Sequence, residues 1–488
     1  MRPVHLVPAA VVLLALGTIV GVAQLTAPAA PGPGHPAVAP RQVAVTSAAR
    51  ACPPVPGGGS GTVAFLAGSP AASRSGPGQA EIAPLPLAGT AMRALSPIRA
   101  AGPGALSLLA TPAAPSAGQQ AATAGSGWSV TASGIMAQAM EAEEATSAGL
   151  ASVRCGEPGS DIWFVGPGQQ RGAAQVQLDL MNVDTLPASV DVSVVTDAGA
   201  VQADGEDGIT VPPHETVTES LSSTAAGASV AAIEVRTTIG RVAADVSERS
   251  PHGGTASWLP SAAAPSRRLV IPGVPPSGST AGLYIVVPGS ANARISVLAI
   301  TAQGRYRPFG SQTIDLPADS ASYVPLTPLG GTAALELTAN VPVTAGVLVP
   351  GSGLGAFTAA TAPISEQAVV AGSTAGSGLS ATVVLSAPAG VARVRLTEVA
   401  VAAGATSSQV VTVPAGHTLS VPATPPRGAG HGSAFGIVIT PLTGSGPLYA
   451  ARVETRGQDT VASIIPAMSA LTSITLRAVR DSYDAVSP

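Results

Sequence analysis

One short cassette recurs along the chain, and it limits the available folds more than any other feature. It reads Gly134-Ile135-Met136-Ala137-Gln138-Ala139-Met140, then Ile239-Gly240-Arg241-Val242-Ala243-Ala244-Asp245-Val246. It returns as Val341-Pro342-Val343-Thr344-Ala345-Gly346-Val347 and as Pro447-Leu448-Tyr449-Ala450-Ala451-Arg452-Val453. Aligning Met136, Val242, Val343 and Leu448 gives intervals of 106, 101 and 105 residues. An apolar pair ending in glycine keeps the same order, at Trp163-Phe164-Val165-Gly166, Val270-Ile271-Pro272-Gly273 and Val369-Val370-Ala371-Gly372. A turn mark follows, at Val211-Pro212-Pro213-His214, Leu316-Pro317-Ala318-Asp319 and Val413-Pro414-Ala415-Gly416-His417. Three registers in one order define a repeat, which fixes the architecture unit by unit.

Within each unit the apolar period is two. Gln175-Val176-Gln177-Leu178-Asp179-Leu180 alternates, as do Ser189–Val194, Arg294–Ile300 and Val391–Leu396. Alternation places apolar side chains on one face and polar ones on the other, as in a sheet covered on one side. Units of about 100 residues with roughly seven short strands have the size of an immunoglobulin β-sandwich. The cassette is then an inner strand of each sandwich. From Ile135 to Thr146 the Ala, Met, Gln and Glu content favours helix locally, whereas the repeat register favours strand.

The predicted fold class is therefore all-β: tandem immunoglobulin-sized β-sandwich repeats after an N-terminal transmembrane helix. The expected boundaries are a signal anchor at 1–25, a Pro/Ala-rich linker at 26–50 and an irregular first β unit at 51–158. Sandwiches follow at 159–266, 267–367 and 368–478, with a tail at 479–488. The anchor reading rests on Leu6 to Leu25, an uncharged apolar run as long as a bilayer core requires. Arg2 precedes it and Arg41 is the next charge, so the bulk lies outside the cell. A cleaved signal peptide is the competing reading, with small residues at Gly21-Val22-Ala23 and Ala27-Pro28-Ala29, and would make the protein secreted.

Export bears on the cysteines. Cys52 and Cys155 are the two present, and in an oxidising compartment a pair is most simply a disulfide.

Composition narrows the chemistry. Charged residues are 10% of the chain, the net charge is −4 and no lysine occurs. This excludes a basic nucleic-acid surface, a phosphate-loop lysine, a Schiff base and a Ser/Lys dyad. Gly57-Gly58-Gly59-Ser60-Gly61 precedes a strand and is read as a loop. His5, His35, His252 and His431 are scattered, while His214 and His417 are read as matching turn residues. Asp204, Glu206 and Asp207 crowd one loop and are either a Ca²⁺ group or, the simpler reading, solvated loop charge. Glu141, Glu143 and Glu144 are read as a solvated face. Trp163 and Trp258, beside repeat marks, are read as core anchors rather than ligand platforms.

Cys52-Pro53, Cys155, Trp163-Phe164-Val165-Gly166, Gly208–His214, Gly240–Ala244, Trp258-Leu259-Pro260, Ile271–Pro275 and Tyr449–Arg452 occur in one order. In that order the chain resembles the uncharacterised actinobacterial family called domain of unknown function 5719, over nearly its full length. The resemblance implies a secreted or membrane-anchored envelope protein of β-sandwich repeats and brings no catalytic residues. The leading expectation is a non-enzymatic envelope scaffold or protein-interaction module without catalytic, cofactor or metal residues. Its partners would be the membrane, through the N-terminal helix, and another envelope protein or cell-wall glycan, with no nucleic acid. A carbohydrate-binding or carbohydrate-processing accessory in wall assembly is the second reading, and an adhesin the third.

Overall fold

The computed structural model describes residues 41–476, apart from 57–58, 68–76, 88–97, 100–103, 112–125, 147–150, 170–174, 202–206, 251–255, 277–279, 310–312, 327–328, 352–353, 377, 402–404, 430–432 and 458–459. The expected anchor at Leu6–Leu25, the spacer up to residue 40 and the tail beyond residue 476 lie outside the described residues. Among those described, no helix is long and apolar enough to cross a membrane. The chain is all-β there, with a single described 3-10 turn at Ile135–Ala137. It divides into two units, 1–43 with 475–488, and 44–474. Of the first unit, only the paired ends of strands Arg41–Ala44 and Ser473–Leu476 are described.

The second unit contains four pairs of antiparallel sheets in chain order. The first pair has Ser47–Cys52, Gly127–Gly134, Gly78–Leu85 and Ile98–Arg99 in one sheet. Its other sheet runs Ala105–Thr111, Gly61–Ala67, Glu141–Thr146, Ser152–Arg154. The second pair sets Asp161–Pro167, Val230–Ile239, Ala188–Thr196 and Gly199–Val201 against Thr216–Ser220, Gln175–Met181, Ala243–Arg249 and Ala256–Leu259. The fourth sets Ala368–Thr374, Ala434–Pro441, Ala392–Ala400 and Thr406–Val413 against His417–Ala423, Leu379–Ala387, Tyr449–Arg456 and Thr460–Ala467. In the third, the 17-residue strand Ala333–Val349 runs through both halves and makes them one eight-stranded sheet.

Each pair encloses a core to which both sheets contribute. In the second, Phe164, Val192 and Ile233 of one sheet meet Leu178, Leu180 and Val246 of the other. The alternation that predicts these strands supplies the core residues, because successive side chains project to opposite faces.

Alternation alone predicts a polar outer face in water, and here the structure corrects it: several outer faces are also buried. The four pairs close on one another. Ala51, Leu85, Met181 and Ala243 join the first to the second. Trp163, Val165, Tyr284 and Val286 join the second to the third. Val384, Ala451, Val453 and Ile464 enter the core of the third from the fourth. Ala64, Leu66 and Leu106 meet Val369, Ala371 and Val438, so the fourth returns to the first. Strands covered on both faces read as unbroken buried runs, which explains Ala243-Ala244 and Ala450-Ala451 in the cassette.

The repeated glycine mark has the same origin. A Cβ on Gly273 would overlap the Cβ of Ala451, and one on Gly372 would lie 3.3 Å from the Cβ of Ala64. At both positions the backbone of one sheet pair lies against the next.

Two details of the repeat are corrected. In the first pair, the sheet position held elsewhere by the cassette strand is taken by Glu141–Thr146, while Met136 sits in the 3-10 turn ahead of it. In the turn mark, the left-handed residues are His214, Asp319 and Gly416, at φ 55°, 49° and 74°. His417 is the strand residue that follows, so the two histidines do not hold equivalent positions.

Candidate functional site: a buried charged junction

In a chain with so few charges, several buried ones meet where the sheet pairs join. Arg50 lies two residues before Cys52 and Arg154 immediately before Cys155, and the two cysteines form a disulfide. Both arginines reach Glu141. Arg50 donates from Nη2 to Oε1 at 2.8 Å and from Nε to Oε2 at 3.2 Å, while Arg154 Nη2 also donates to Oε1. Glu141 is 1% exposed, so the expectation of a solvated glutamate face is wrong. Burial pushes its carboxyl up, but the two guanidiniums and their hydrogen bonds overcome that and hold it below its ordinary range. Glu157, largely exposed, completes the group at 3.4 Å from Arg50.

Glu143 faces the fourth sheet pair. Its Oε1 accepts from Arg452 Nη1 at 2.6 Å, and its Oε2 accepts from the backbone N–H of Gly372 at 3.0 Å. Arg452 Nη2 donates to Ser152 Oγ at 2.7 Å and Ser463 Oγ at 3.1 Å. Arg452 and Glu143, 309 residues apart, are both buried. Here burial prevails. With one guanidinium in attendance and Glu454 nearby, the Glu143 carboxyl is pushed up to about 7.

A third cluster lies between the first and second pairs. Asp179 and Asp245 are directly opposed across strands Gln175–Met181 and Ala243–Arg249. Asp179 Oδ1 accepts from Thr218 Oγ1 at 2.7 Å and Gln177 Nε2 at 3.1 Å, yet burial raises its carboxyl to about 6. Asp245 is raised well above its ordinary range by burial, then by Asp179 and Glu144. Glu144 is itself fully buried. Glu248, on the same strand as Asp245, is pushed to about 8 by burial. Two opposed carboxyls are able to share a proton, but at 1% and 3% exposure neither meets a dissolved substrate.

All four sheet pairs contribute to one small cavity of about 20 Å³, lined by residues that include Ser152, Arg154, Trp258, Phe357, Ser463 and Met468. It has room for one water molecule and is too small for a substrate. Trp258 and Trp163 are buried, as anticipated for anchors, but they anchor the junctions between sheet pairs rather than the cores within them. Their Nε1 groups have no acceptor among the described residues.

The other sequence candidates do not converge. Asp207 is exposed, and Asp204 and Glu206 lie outside the described residues. His5, His35, His252 and His431 also lie outside them. Among the described residues no group of three His, Cys, Asp or Glu is placed to hold a metal ion. Sequence reasoning missed Arg50, Arg154, Arg452, Asp179, Asp245 and Glu248. The legible signal was there: a charge inside an apolar strand in three of the units, and an arginine beside each cysteine.

These features define a class: an all-β protein of several sheets, closed by one disulfide and by charge pairs between sheet pairs. The chain belongs to the family of unknown function DUF5719, whose family model matches residues 110–424. The matched span contains Cys155, Glu141 and Glu143 but not Cys52 or Arg452. Comparison with curated proteins found no match.

Proposed function

We propose that this chain is an exported, non-enzymatic scaffold of the cell envelope, anchored by the apolar segment Leu6–Leu25. In this reading it is built from immunoglobulin-sized sandwiches at 159–266, 267–367 and 368–478, behind a first unit at 51–158. Its work is to present surfaces to another envelope protein. The observation that carries the reading is the Arg452–Glu143 contact and its neighbours. The buried charges join sheet pairs, which leaves the outer sheets and edges as the interacting part. The Cys52–Cys155 disulfide supports an oxidising, extracytoplasmic location.

The test is topological. Ala198 is an exposed turn residue, and an Ala198→Cys variant in intact cells is expected to react with a membrane-impermeant maleimide. Labelling only after lysis would refute the reading.

One feature favours glycan as the partner instead. An open groove of about 860 Å³ on the third sheet pair is lined by polar side chains including Asn292, Arg294, Ser296, Asp315 and Asn340. Retention of the protein on purified wall glycan, lost in Asn340→Ala and Asp315→Ala, would support that reading.

A further inference from the structure

The scaffold reading, on which this inference rests, leaves open which surface binds and what it takes. The strand Thr406–Val413 ends its sheet, and among the described residues no backbone pairs with its outer side. It pairs with Ala392–Ala400 through eight unbroken steps, from Ala392↔Val413 to Val399↔Thr406. It carries no charge, no proline and no bulge. Sheet edges of this kind are templates for an added strand, and proteins normally blunt them.

The other long edges here are blunted. Proline interrupts Ser320–Leu326, His417–Ala423 and Thr460–Ala467. The edge strand Ala105–Thr111 is bridged to Val401 at Leu106. The strand Thr406–Val413 stands apart as eight residues left open.

The outer face beside this edge has a definite chemistry. Arg393 and Arg395 are exposed, and neither forms an ion pair among the described residues. They lie opposite Thr412 and Val410, whose short side chains leave the guanidiniums free to lean over the edge. Val410 is 53% exposed. Two residues along a strand repeat at about 7 Å, so a strand laid on this edge meets the arginines with every second side chain. Its intervening side chains continue the core face, where Val411 and Val413 pack.

We propose that Thr406–Val413 takes up an extended segment of a partner protein as an added antiparallel strand, one whose residues alternate between acidic and apolar. Charge argues against a second copy. Two-fold pairing of this edge would set a second uncharged Thr406–Val413 strand beside the first and bring the two arginines no carboxylate partner. The chain's own first 40 residues contain no carboxylate, so they do not supply the segment.

The experiment titrates the full chain with an eight-residue peptide of alternating Glu and Val, and follows affinity together with amide exchange at 406–413. The expected result is protection confined to that strand. Arg393→Gln with Arg395→Gln is expected to weaken binding about tenfold, and a Lys/Val peptide to bind no better than that variant. Equal binding of the Glu and Lys peptides, or protection elsewhere, would overturn the proposal. So would dimerisation of the free chain that already protects these amides. A photo-crosslinking side chain at Ser408, compared with one at Tyr323, separates this proposal from the scaffold reading. Adducts at Ser408 with an acidic extended segment support the edge. Adducts with an envelope protein at Tyr323 alone overturn the edge and keep the scaffold. Absence of protein adducts at both overturns both.

Discussion

Replacing Arg452 by methionine tests the junction at its most buried charge. The substitution removes the 2.6 Å bond to Glu143 and the bonds to Ser152 and Ser463, and leaves Glu143 and Glu454 facing each other without a cation. Both members of the Arg452–Glu143 pair are at most 2% exposed, so water does not compensate. Removing one partner of a buried pair costs about 3–5 kcal/mol. Urea unfolding followed by tryptophan fluorescence at pH 8 is expected to show a loss of that size. At pH 5 the loss is expected to be smaller, since Glu143, already raised to about 7, is then neutral. Adding Glu143→Leu to Arg452→Met removes the stranded carboxylate, and stability is expected to return to within about 1–2 kcal/mol of the parent. A loss below about 1 kcal/mol for Arg452→Met, the range of surface pairs, would refute the reasoning.

Three further outcomes are expected. Asp179 and Glu248 are raised to about 6 and about 8, so the folded chain holds protons that the unfolded chain releases from about pH 4. Stability is therefore greatest at low pH within this window and falls as pH rises to about 8; urea midpoints at pH 5 and 8.5 check the sign, and Asp179→Asn with Glu248→Gln flattens the dependence. Replacing both Cys52 and Cys155 by alanine opens a loop of 103 residues and is expected to cost about 4–5 kcal/mol, measured against the intact chain under non-reducing conditions. A Cβ on Gly346 would overlap the backbone carbonyl of Val165, so Gly346→Ala is expected to cost about 1–3 kcal/mol and to raise exchange at strands Asp161–Pro167 and Ala281–Val287.

The period-two alternation was enough to read an all-β chain, because it is local in sequence, and the disulfide was legible from a count of two cysteines in a chain read as exported. Val176, Leu178 and Leu180 face a core as their spacing requires. The fate of the opposite face was not legible. Asp179 looks like any outward polar residue in an alternating strand, and only contact with the first sheet pair buries it. The glutamates 141, 143 and 144 misled for the same reason: consecutive acids normally mark solvent, and the arginines that receive two of them come from residues 50, 154 and 452. The clue that was available is scarcity. In a chain with 10% charge, an arginine inside Tyr449-Ala450-Ala451-Arg452-Val453 has to find an acid.

The four sheet pairs close on one another, the fourth against the first. Residues 64 and 372 test this closure directly, because a Cβ at Gly372 stands 3.3 Å from that of Ala64, near the Cβ separation of a disulfide. In an Ala64→Cys/Gly372→Cys chain, oxidised in air and mapped by non-reducing peptide mass analysis, closure predicts a linked 64–372 peptide alongside the native Cys52–Cys155 link. Recovery of both new thiols alkylated, with the native link intact, would contradict it.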